Sequence, residues 1–207
     1  PLTTGRTMEI GGVAGGPSRT ASLKITQSDL AAINPASSGI TNGAITFGDS
    51  LPDATLGPIV FKGNFSAPGN MFPNFFGSTI TQDALTSIQG GMNINASQSV
   101  TLTSTANQID QLGDFVFGGS LVDIVTNVPS LVLSGDISSN GPVKFQNLGG
   151  SILVDNQSVN GTGITTTVVG DVVALRAASG VTLKGVVSAT NPESVNAIIV
   201  DAGSGGF

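Results

Sequence analysis

The sequence predicts an all-β protein: a right-handed parallel β-helix (β-solenoid) with short loop and helical-turn excursions, or alternatively a β-sandwich. Three observations carry this prediction. Five of the nine residues of "ITQSDLAAI" at 25–33 recur 55 positions later in "ITQDALTSI" at 80–88, each stretch followed by a strand-like run, and self-similarity marks stacked repeats. Gly-Asp steps at 48–49, 113–114, 135–136 and 170–171 sit beside apolar runs, as recurring corners would. Charged residues make up only 10% of the chain, which suits flat faces carrying Thr, Ser and Asn in place of stacked like charges.

Along the chain, residues 1–19 read as a Gly-rich lead-in or linker. "GGVAGGPS" there lacks the strand-to-helix context of a phosphate loop. Residues 20–207 read as solenoid coils. In "ITQSDLAAI" a strand ends at Thr26, and Leu30 and Ile33 follow at helical spacing. Thr26 with Asp29 has the spacing of a capping box, so the unit reads as strand, capped helical turn and strand, with both apolar residues packed down. From residue 92 onward, runs such as "SVTLTST", "SLVLSGDI" and "GVTLKGVV" recur at the short, regular spacing of an all-β chain, bounded by Gly, Asn, Asp or Ser. Alternation turns Val100, Leu102, Val181 and Leu183 inward, and Thr101 and Thr182 outward.

Composition limits function. The net charge is -6 and the seven basic residues are scattered singly, which argues against nucleic acid as a partner. Eleven of the thirteen acids are Asp, a turn-former; only Glu9 and Glu193 are Glu. Without His or Cys the usual nucleophilic triads, disulfides and thiolate or imidazole metal sites cannot be built. We therefore assign no catalytic, metal-binding or cofactor-binding residue. Asp155, Asp171 and Arg176 are the best local material for polysaccharide chemistry, but each acid stands alone at a turn. No apolar run approaches the length of a membrane-spanning helix, so membrane insertion is not expected. A Pro1 start and an "AGSGGF" finish in mid-pattern read as a piece of a longer polypeptide.

One stretch breaks the texture. "SAPGNMFPNFFGS", 66–78, reads as a Phe-rich loop, and Met71, Phe72, Phe75 and Phe76 form a candidate docking patch if exposed, or a seal on the solenoid's side if folded down. Asn64, Asn95, Asn156 and Asn160 begin N-x-S/T triplets of the kind that arise by chance in such a composition.

Stretches such as "LKITQSDLAAI", "MNINASQSVTLTST", "PSLVLSGDISSNGPVKF" and "GDVVALRAASGVTLKG" together give the chain, over about residues 20–207, a texture that resembles the very large bacterial adhesins similar to filamentous haemagglutinin, the exported partners of two-partner secretion systems. The Asn-Pro-Asn motifs of that family's secretion domain are not evident; "INPASSG" at 33–39 is a poor echo. The resemblance implies an internal, non-catalytic β-helical shaft, secreted and exposed at the cell surface, serving adhesion, aggregation or biofilm formation. Its expected partners are neighbouring coils or copies of itself and a host receptor or glycan. A self-assembling extracellular filament subunit and a β-helical polysaccharide-processing enzyme are the alternatives.

Overall fold

The computed structural model describes residues 6–11, 23–33, 44–48, 57–67, 71–119, 121–155, 158–159, 162–163, 167–191 and 197–205. Among these, short alternating runs build one 17-stranded sheet in which every pairing is parallel, and two small two-stranded ones. A sandwich would join antiparallel strands. Here the only antiparallel pair among the described residues is the small hairpin of Ser158–Val159 with Thr162–Gly163.

The pairings resolve into three ladders. Ladder A runs Leu23–Ile25, Met8–Ile10, Ile59–Phe61, the second half of Phe72–Gln82, the second half of Met92–Leu102, Leu121–Thr126, Val143–Asn147, Val173–Ala177 and Ile198–Asp201. Ladder B runs Ala44–Phe47, the first halves of Phe72–Gln82 and Met92–Leu102, the end of Gln111–Phe117, Ile137–Ser139, Thr167–Gly170 and Val186–Ala189. Ladder C runs Phe65–Ser66, Ile88–Gln89, a bridge at Gln108 leading into Gln111–Phe117, Ser130–Leu133, Ser151–Val154 and Gly180–Leu183. From Ile59 onward the chain visits ladders A, C and B in turn.

Register gives the step. Ile59, Ile80, Val100, Val122 and Val143 are direct neighbours in ladder A. Their numbering makes each rung about 21 residues, at the short end of solenoid repeat lengths. The next step, Val143 to Val173, is longer, because the small hairpin is inserted there. All of these side chains are fully buried, so each rung places its apolar side chains directly on those of the rung below. Each such burial contributes roughly 1.5–3 kcal/mol. Near the start, Phe47, Phe61, Phe65 and Phe75 pack with ring centroids 5.0–5.9 Å apart.

Outward positions stack like on like. Thr81 faces Thr101, Asn93 Nδ2 donates to Asn74 Oδ1 at 2.7 Å, and Gln89 Nε2 donates to Gln108 Oε1 at 2.8 Å. Charges pair between rungs: Lys24–Glu9, Lys62–Asp83, Lys144–Asp123 and Lys184–Asp155 meet at 3.2–3.8 Å. Of the four Gly-Asp steps two stack on each other; Gly170–Asp171 bonds to Gly141 instead, and Asp49 lies outside the described residues. Gly135–Asp136 lies directly on Gly113–Asp114, with the Asp136 N–H donating to Asp114 Oδ1 at 3.2 Å.

Several expectations are corrected. The 55-residue offset is not the rung step: Ile25 belongs to the column of Ile10, Phe61 and Gln82, not that of Ile80. The first copy does form a helix, Gln27–Ala32, with the Thr26/Asp29 capping box in place, but it buries Leu30 and leaves Ile33 37% exposed. The second copy forms no helix. Its Leu85 is 97% exposed on a turn closed by the Thr86 N–H on the Asp83 carbonyl, while Ile88 enters ladder C fully buried. Leu183, expected inward, is 46% exposed, although Val181 in the same strand, like Val100 and Leu102, is buried. Within the expected lead-in, Met8–Ile10 is a ladder strand, since Met8 and Ile10 face the core while Glu9 pairs outward with Lys24.

Candidate functional surfaces

The Phe-rich stretch is a strand from Phe72, not a loop; residues 68–70 lie outside the described residues. Alternation along ladder B splits its side chains. Phe75 is fully buried among Phe47, Phe61 and Phe65 and offers nothing to a partner. Phe72 and Phe76 point outward and, like Met71, are half-buried. The Phe72 ring lies across the next two rungs, where a Cβ at Gly91 or Gly113 would come within 2.4 and 3.2 Å of it. Those glycines leave room for the ring. Beside Phe76 lies a groove of about 170 Å³ lined by Asn74, Phe75, Phe76, Asn93, Ile94, Asn95 and Asp114.

A second groove, of about 250 Å³, lies on ladder A. Asp123, Lys144 and Arg176 line it, with Gln146 between rungs and Pro142, Val172 and Ile199 as apolar walls. Asp123 and Lys144 are register partners, 3.8 Å apart. The groove holds one carboxylate, already paired, and two cations. Of the three residues considered for polysaccharide chemistry only Arg176 is here. Asp155 pairs with Lys184 at another corner, and Asp171 anchors a third corner through its N–H to the Gly141 carbonyl. No sequence pattern announces this groove, because Asp123, Lys144 and Arg176 become neighbours only once the rung step is known.

The polar groups inside the fold serve its corners. Asn107, fully buried, accepts from the Ile88 N–H and Gln82 Nε2 and donates to the Leu102 and Val125 carbonyls. Thr126 and Asn147 repeat the role on the following rungs. In the capping box, hydrogen bonds from the Thr26 N–H and hydroxyl hold the Asp29 carboxyl below its ordinary value of 3.8.

Asn64 accepts from the Ser87 N–H and Asn95 lines the smaller groove; Asn156 and Asn160 lie outside the described residues. Among the described residues, no three His, Cys, Asp or Glu side chains gather as metal ligands, and no helix is long and apolar enough to cross a membrane. No family model, curated protein or solved structure matches the chain.

Proposed function

We propose that the three ladders are the faces of a right-handed parallel β-helix, and that this rod is a non-catalytic stalk segment of a secreted, surface-exposed bacterial adhesin. The observation that carries the reading is the near-constant in-register step, held over successive rungs with like side chains stacked inside and out. Such a stack resists bending, because every rung is bonded to the next along three ladders. The eight steps of ladder A at about 4.8 Å each span roughly 38 Å. Its polar, weakly charged faces suit an extended surface in contact with solvent on all sides.

The test is immunogold labelling of intact source cells with antibody raised against the chain. Label standing off the cell surface, together with reduced adhesion or biofilm when the coding segment is deleted, is the expected result. Label confined to the cell interior would overturn the reading.

A further inference from the structure

Outward polar side chains of this stack satisfy one another across the rungs: Asn93 bonds to Asn74, Gln89 to Gln108, and four lysines meet carboxylates. The groove on ladder A departs from that habit. Gln146 and Arg176 are outward register partners that line it, yet neither side chain hydrogen-bonds or ion-pairs with a described residue. Asp201, on the other side of Arg176, turns its carboxylate to the Gly203 N–H at 3.2 Å. A guanidinium fork and a carboxamide thus face the groove with their bonding capacity open.

One residue makes the hollow beside them. The outward column reads Asp123, Lys144, Ala174 and Ile199, so a lone methyl group stands between two large side chains. Ala174 is only 7% exposed although it faces outward, because its taller neighbours rise above it. Lys144 and Arg176 occupy opposite corners of this step, with Gln146 and Ala174 at the other two. Rungs are about 4.8 Å apart and alternate residues of a strand about 6.8 Å, so both cations reach an anion placed over Ala174. The Lys144–Asp123 pair, at 3.8 Å with Lys144 54% exposed, is weak enough to open to a ligand.

We propose that this groove binds a hexuronate, a pyranose ring carrying a carboxylate. Arg176 takes the carboxylate in a two-point hydrogen bond, with Lys144 as the second cation. Gln146, donor and acceptor at once, and the Asp123 carboxylate, an acceptor, suit ring hydroxyls. The C–H face of the ring lies over Ala174 against Pro142, Val172 and Ile199. A volume of about 250 Å³ suits one such ring and is too small for a drug-sized ligand. An inorganic anion would leave the apolar walls unused, and a neutral sugar would leave Arg176 without a counter-charge. The inference needs only the groove and stands apart from the adhesin reading.

Amide chemical shifts of the isotope-labelled 207-residue chain, titrated with galacturonate, glucuronate, galactose and inorganic phosphate, test it. A uronate should move the amides of 144–147 and 173–177 saturably and bind about tenfold or more tightly than galactose or phosphate. Arg176→Gln should weaken the uronate by about tenfold or more, while Lys184→Gln, the same charge change outside the groove, should leave it unaltered. Ala174→Leu, which fills the hollow, should abolish binding with the other amide shifts in place. No saturable shift with either uronate, equal binding of galactose or phosphate, or indifference to Arg176→Gln or to Ala174→Leu would overturn the proposal.

Discussion

Residues 25–33 and 80–88 share Ile, Thr, Gln, Leu and Ile at matching positions and fold differently. In the first, Thr26 caps a helix: its hydroxyl accepts from the Asp29 N–H at 3.2 Å, and the Asp29 carboxylate accepts from the Thr26 N–H at 2.8 Å. In the second, the Asp stands one place earlier, as Asp83, and Ala84 occupies the reciprocal position, so no capping box can close. Context adds to this. Ile80–Gln82 is paired on both sides, with Ile59–Phe61 and with the end of Met92–Leu102, and the Gln82 side chain is held by Asn107 and Thr86. Leu23–Ile25 is an edge strand with one partner among the described residues. One carboxylate and one neighbouring strand decide between helix and ladder.

Truncating the apolar positions should break the equivalence most visibly. Leu30→Ala and Ile88→Ala should each cost about 2–5 kcal/mol by denaturant unfolding, because both side chains are buried. Leu85→Ala, the sequence counterpart of Leu30→Ala, should stay within about 0.5 kcal/mol. Equal losses at Leu30 and Leu85 would mean that the copies are equivalent after all.

Removing the corner amide comes next. Asn107→Ala leaves the Ile88 N–H and two carbonyls without their partner, at a cost of about 1–3 kcal/mol, and should speed amide exchange at Ile88. Restoring the missing carboxylate sharpens the contrast further. Ala84→Asp supplies the capping residue, yet residues 80–82 should keep the slow exchange of a strand paired on both sides. A gain of helical signal in the far ultraviolet would show that the cap alone decides.

The smallest effect is that of pH on the first copy. Asp29 has a lowered pKa in the folded state, so its contribution is fully present above the unfolded value near 3.8 and is lost as pH falls through the lower folded value. Amide exchange at Asp29, corrected for its intrinsic pH dependence, should therefore lose protection only below about pH 4. In Asp29→Asn that acid step should vanish.

Much of this fold is written in short alternating runs and corner residues, and those parts were legible. Val100, Leu102 and Val181 face inward, the Thr26/Asp29 cap closes, and Gly135–Asp136 stacks on Gly113–Asp114. The exact register between rungs was not legible, because it is set by backbone pairing between strands whose identities are a few scattered Val, Thr, Ser and Asn positions. Ile80, Val100, Val122 and Val143 form one column only because all are β-branched and apolar. The surfaces suffered for the same reason. Phe75 could not be separated from Phe72 and Phe76 until alternation within Phe72–Gln82 placed it inside, and Asp123, Lys144 and Arg176 meet only across rungs.

The central claim is the register of the rungs, and the Cys-free chain allows it to be tested covalently. Thr81 and Thr101 are outward partners on adjacent rungs, about 4.8 Å apart, within the reach of a disulfide; Thr81 and Asp123 are two rungs apart, about 9.6 Å, beyond it. Mild oxidation of Thr81→Cys/Thr101→Cys should close an intramolecular disulfide in the folded chain, and Thr81→Cys/Asp123→Cys should stay reduced. Free thiols in the first pair, or a bridge in the second, would contradict the stack.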